Sequence, residues 1–376
     1  MYAPSEMYTF GNRNEYPVEC VRLDGDTLVN EQAMLPRISI PEEVYIQNLE
    51  AVRQNWRVLK DPKSEQQFEV ATINTEHGTE QEVDVEFSTF TSSISGNPGN
   101  AVEFAQNAAA HDARARVYVA SFGNGYSSYW TPGERKYIRE TGRIIGKNGE
   151  VLPTMEALAR TLQAAGYIAT RISTNSAGGA YGTAFAHALP RDQMTHAYFK
   201  SRPNLANHPT RLLWGLGLIA ADEWQKRRYA RTSNDPWKLT DTMTDEARKI
   251  LSNIYEVQSQ LYAKPKTFGL GKLWNDMMTF SHGPKGAVHH PAAEDTAYAI
   301  DRQPDMLTTY HMPLQDLHYS HPHSDIEKFL LATGALAHEA FISKMRFICL
   351  PGAHGDHTYY PDLRRSAEFY ALNRVT

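Results

Sequence analysis

The stretch Tyr167-Ile168-Ala169-Thr170-Arg171-Ile172-Ser173-Thr174-Asn175-Ser176-Ala177-Gly178-Gly179 decides the reading of this chain. Its first seven residues carry the β-prone side chains of a short strand. Small residues follow, and then a small-residue helix over Ala180–Leu189, closed by Pro190. A nucleophile held at a sharp strand-to-helix turn needs small neighbours, so that the backbone can bend. It also needs a free N–H on the next residue and a helix N-terminus that favours negative charge. Ser176 meets these needs, with Ala177, Gly178 and Gly179 behind it. The motif G-x-S-x-G reads here Thr174-Asn175-Ser176-Ala177-Gly178, so a β-branched residue stands in the first glycine position. A plain helix N-cap would also use a serine followed by glycines.

Working outward, strands are expected at Phe68–Ile73, Val83–Phe87, Arg116–Ala120, Met306–His311 and Arg346–Leu350. Helices are expected at Val44–Leu59, Ala101–His111, Pro153–Ala165 (stopped by Gly166), Asp325–Ala340 and Asp362–Leu372. Strand and helix alternating at this rhythm predict a largely parallel sheet with helices on both faces. Residues 1–45 show no periodicity and read as an irregular arm. Between Asn204 and Asp301 strand signals disappear and helical stretches dominate, as in a helical insertion. The expected organisation is an N-terminal arm and helix at 1–65, a core over 66–203, a helical cap over 204–301 and the resumed core over 302–376.

The downstream strands add two candidates. Asp316 follows Met306–His311, and His354 follows Arg346–Leu350 in the loop Pro351-Gly352-Ala353-His354-Gly355-Asp356-His357. The chain order Ser, Asp, His is that of a triad on a parallel sheet. In that reading His354 takes the Ser176 proton and Asp316 fixes the imidazole tautomer. His357 competes with His354 for the role of base. A loop-capping Asp and a turn His are the bland alternatives.

On these residues the sequence resembles the α/β-hydrolase fold family over roughly 68–373. The stretches Arg116–Ser128, Met155–Pro190 and Pro351–Tyr370 are similar to its early strand and glycine loop, its nucleophile elbow and its His loop with terminal helix. The resemblance implies a mostly parallel eight-stranded sheet with a helical cap inserted before the acid-bearing strand. It also implies an oxyanion hole from the N–H of Ala177 and from the loop after the second strand, near Thr91 and Ser92. That loop lacks the family's His-Gly pair. Activity on an ester, thioester or related acyl bond is the expectation. A catalytically silent binding or scaffold protein of the same fold is the alternative.

Composition narrows the remaining classes. The 376 residues hold 41% hydrophobic and 22% charged side chains, ordinary globular usage. Lys+Arg 38 against Asp+Glu 43 leaves a net charge of −5, so a nucleic-acid partner is not expected. No apolar run approaches the roughly 18 residues of a membrane span, and no secretory leader is visible. Only Cys20 and Cys349 are present, which excludes a disulfide framework and fits a reducing, cytoplasmic setting. The expected partner is a small acyl substrate, with self-association left open. No cofactor and no metal are expected. Seven histidines fall between His282 and His323, and His321-Pro322-His323 invites a metal reading, but the proline opposes a helical pair. Gly123-Asn124-Gly125 does not complete a dinucleotide loop. Lys226-Arg227-Arg228 reads as a solvated helix end, and Trp214 as cap core or pocket lining.

Overall fold

The computed structural model describes residues 15–25, 27–38, 40–76, 78–87, 99–110, 114–119, 129–141, 143–175, 178–200, 292–314, 322–337, 342–350 and 361–374. A ten-stranded sheet runs through them in the order β2-β1-β10-β9-β8-β7-β5-β6-β4-β3. The strands are β1 (Glu15–Asp24), β2 (Thr27–Pro36), β3 (Arg57–Lys60), β4 (Gln67–Ile73), β5 (Gln81–Phe87), β6 (Arg116–Val119), β7 (Tyr167–Asn175), β8 (His196–Lys200), β9 (Leu307–Pro313) and β10 (Met345–Leu350). From β6 to β10 across the sheet every neighbour pair is parallel. The outer pairs β4 with β6, β3 with β4, β1 with β10 and β1 with β2 are antiparallel.

The expected eight-stranded sheet is therefore enlarged. Residues 15–36, read as an irregular arm, form a hairpin added to the β10 edge, with Gly25 at φ +58° in its turn. Its outer strand β2 shows a half-exposed pattern and exposed Met34, which is why no buried periodicity marks it in the sequence. The expected helix Val44–Leu59 is two elements, α1 (Glu42–Gln54) and the edge strand β3.

The other helices are α2 (Gly99–Ala110), α3 (Pro132–Thr141), α4 (Pro153–Ala164), α5 (Gly178–Ala188), α6 (Ala292–Arg302), α7 (Pro322–Gly334) and α8 (Pro361–Asn373). Gly166 ends α4 as expected, at φ +82° and with a Thr79 carbonyl 2.7 Å from where its Cβ would be. The last residues of the expected insertion, 292–301, lie in α6 (Ala292–Arg302). Its Ala297, Ala299 and Ile300 bury in the main core with α5. The rest of that insertion lies outside the described residues.

Strand alternation gives the sheet two unlike faces. On one, level register partners form a row: Val119, Phe87, Thr174, Phe199, Tyr310 and Phe347. Phe199 stacks on Tyr310 at 5.0 Å and Tyr310 on Phe347 at 4.8 Å. Each such pair is worth about 0.5–1.5 kcal/mol beyond its burial. Helices α4, α5, α6 and α7 close this apolar face. The other face, under α1, α2 and α8, is partly charged, and that layer lies directly beneath the candidate site.

Candidate functional site at the carboxyl edge of the parallel strands

Parallel strands send all their carboxyl ends to one edge, and in open α/β sheets that edge is where ligands bind. Asn175, Lys200 and His311 stand level at it on β7, β8 and β9. The strands β9 and β10 continue two positions further, to the register pair Pro313 and Leu350. The segments bearing the expected site residues leave from this edge. Ser176 and Ala177 follow β7, Thr91 and Ser92 follow β5, Asp316 follows β9 and His354 and His357 follow β10. All of these residues lie outside the described ones, as do Trp214, the Lys226 cluster, Gly123–Gly125 and every histidine of the rich segment except His311 and His323.

The flanking elements are well defined. Strand β7 ends at Asn175 and helix α5 begins at Gly178, so two residues link a central strand to a helix. The β-branched Thr174 is accommodated by the helix. Gly182 faces it across the strand–helix contact, so the glycine missing from the turn is supplied from α5. Thr174 and Asn175 are both buried.

Beneath the edge, on the α8 side, an ion cluster holds six elements together: α2, α8, β5, β6, β7 and β8. Glu368 of α8 accepts hydrogen bonds from Arg116 of β6 at 2.8 Å, Ser173 of β7 at 3.1 Å, Lys200 of β8 at 3.2 Å and Asn107 of α2 at 2.8 Å. Arg116 also donates to Glu86 at 3.1 Å, and Lys200 Nζ lies 3.8 Å from Glu86. Arg116, Lys200 and Glu368 are each at most 1% exposed. Burial of this kind disfavours charge, but Glu368 and Glu86 together raise the Arg116 guanidinium above its ordinary value. One layer down, Arg171 of β7 holds Asp84 of β5 through two hydrogen bonds of 2.7 and 2.5 Å, and Arg114 is a second partner. Desolvation pushes the Asp84 carboxyl up. The Arg171 hydrogen bonds and the charges of Arg116, Arg171 and Arg114 outweigh it and hold the carboxyl below its usual range.

This cluster positions the edge. Through Ser173 and Lys200 it ties the ends of β7 and β8 to α8, the helix that follows the segment carrying His354. No motif marks Glu368 in the sequence, because a lone Glu on an amphipathic helix reads as surface charge. Arg116 and Glu86 read as the outward positions of alternating strands.

No family model and no curated protein sequence matches the chain. Among solved structures it is similar to the carboxylesterase CesB (YbfK) from Bacillus subtilis, at 11% identity and TM-score 0.44, covering 88% of this chain and 96% of the other. It is similar to MGS-M2, an alpha/beta hydrolase enzyme from a Medee basin deep-sea metagenome library, at 13% identity and TM-score 0.45, covering 83% and 96%. An alpha/beta fold family hydrolase from Bacillus anthracis aligns at 14% identity and TM-score 0.42, covering 83% and 98%. The strands described above carry the architectural conclusion: this is an α/β protein whose parallel strands open at one edge.

Proposed function

We propose that the chain is a serine hydrolase of the α/β-hydrolase fold, acting on an ester, thioester or related acyl bond. The observation that carries this reading is the two-residue link between β7 and α5 at the carboxyl edge of the sheet, with Ser176 as its first residue. A nucleophile in such a link needs a tight turn and gains from the positive end of the helix that follows, and both needs fit a link this short.

In the proposed mechanism Ser176 Oγ attacks the acyl carbon while His354 takes its proton. Asp316 orients the imidazole and stabilises the imidazolium. The N–H groups of Ala177 and of the Thr91–Ser92 segment stabilise the oxyanion. The tetrahedral intermediate collapses, the leaving group departs with the proton from His354, and an acyl-serine remains. Water, deprotonated by His354, then attacks the acyl carbon and releases the acid. Residues 204–291, the part of the expected insertion that precedes α6, would cover the edge and select the substrate.

Hydrolysis of a p-nitrophenyl ester tests the reading. Ser176→Ala, His354→Ala and Asp316→Asn should each lower kcat by at least about a thousandfold, and His357→Ala should leave it within a few-fold. Activity indifferent to Ser176→Ala would refute the assignment.

A further inference from the structure

Away from the carboxyl-edge serine, three metal-ligating side chains of different chemistry converge from three elements. Glu19 of β1 and Cys349 of β10 are direct register partners on the antiparallel edge. The next two positions of β1 on that face, Val21 and Leu23, bury as apolar residues in the main core. Glu19 breaks that row with a carboxylate aimed where Cys349 and α7 meet. His323, the second residue of α7, comes over them with Nε2 3.8 Å from Glu19 Oε2. A ligand atom from each of the three lies within 4.8 Å of the others. Cys349 is buried, Glu19 half-buried and His323 exposed, so the group is open to solvent on the histidine side.

We infer that Glu19, His323 and Cys349 form a binding site for one divalent cation of the zinc class. Tetrahedral zinc with one S, one N and one O ligand sets them roughly 3.3–3.8 Å apart, from bond lengths of about 2.0–2.3 Å. The His323–Glu19 separation of 3.8 Å already meets that spacing, and the remaining pairs, within 4.8 Å, close by about 1.5 Å at most. Water takes the fourth position. A thiol, an imidazole and a carboxylate suit zinc or cobalt, whereas magnesium and calcium demand oxygen ligands. On binding, the Cys349 S–H bond breaks, its proton goes to buffer, and a metal–sulfur bond forms.

The sequence points away from this site. It draws the eye to His321 beside His323, whereas the two other ligands come from strands at opposite ends of the chain. The location bears on the proposed function. Cys349 lies just before segment 351–360, which carries His354, and His323 just after segment 315–321, which carries Asp316. A bound cation would pin the roots of both. That consequence rests on the hydrolase reading; the binding itself does not.

Titration of the full-length, chelator-treated protein with Co2+ and Zn2+ tests the site. The expected result is one ion per chain, with a thiolate-to-cobalt charge-transfer band in the near ultraviolet. Zn2+ should displace the cobalt, and millimolar Mg2+ should not. His323→Ala, an exposed substitution that the fold tolerates, should weaken binding by about tenfold or more. Cys349→Ser should abolish the band and Cys20→Ser should retain it. Absence of stoichiometric binding, a band that follows Cys20, or affinity unchanged by His323→Ala would overturn the inference. Because the readout is spectroscopic, failure here leaves the esterase test unaffected.

Discussion

Gly182 of α5 packs against Thr174 of β7 with no room for another carbon between them. A Cβ on Gly182 would fall well inside contact with Thr174 Cγ2, and would lie 3.2 Å from Ile172 Cδ1 and 3.4 Å from Phe199 Cε1. Thr174 stands at the first glycine position of the G-x-S-x-G pattern, and the small residue at this contact is Gly182 of the helix.

Substituting Gly182→Ala should therefore destabilise the protein. Overpacking costs about 1–3 kcal/mol, and the better helix propensity of alanine returns at most about 1 kcal/mol. Combining it with Thr174→Ser removes the obstructing methyl and should recover most of the loss. Urea midpoints of the single and double variants measure this. Equal midpoints for Gly182→Ala and wild type would show that the contact is not tight.

Glu368 should be among the most sensitive positions outside the edge itself. Its carboxylate neutralises a cluster in which Arg116 and Lys200 are nearly fully buried. Glu368→Ala leaves positive charge in excess within that group, a change that typically costs about 3–5 kcal/mol. Glu368→Gln keeps the shape but loses the charge, and should fall between. A loss under about 1 kcal/mol for the alanine variant would contradict the geometry.

Asp61 gives the acid limb of stability a specific origin. Hydrogen bonds from Arg160 at 3.0 and 3.2 Å, with a further one from Ser64 at 2.6 Å, lower its carboxyl from the ordinary 3.8 to about 2. A depressed folded-state value stabilises the fold above the unfolded value, and the contribution disappears as pH falls from about 4 towards 2. Denaturation of wild type and Asp61→Asn across that window should show the variant with a shallower pH slope and lower stability near neutrality. Parallel curves would remove Asp61 from the explanation.

The sequence carries the central strands because their side chains are apolar or β-branched in short runs bounded by turns. Tyr167–Ser173 extends only to Asn175, and Val83–Phe87 only back to Gln81. The strand β8 is missed because His196 and Lys200 frame just three apolar-bearing positions, and because its buried lysine looks like a surface residue. The hairpin β1–β2 is missed because Glu, Gln and Asn line its exposed outer strand. The nearby positioning residues are illegible for a related reason. Glu368 and Arg116 become buried partners only when segments 252 positions apart are folded together. The candidate nucleophile, in contrast, depends on local order: strand, serine, small residues, helix.

The most direct test of the central claim is covalent. A fluorophosphonate probe reacts with an activated serine and not with an ordinary N-cap hydroxyl. One adduct per chain is expected, mapped by peptide mass spectrometry to Ser176 and lost in His354→Ala. Labelling at another residue, or none in a wild-type protein that also leaves p-nitrophenyl esters intact, would contradict it.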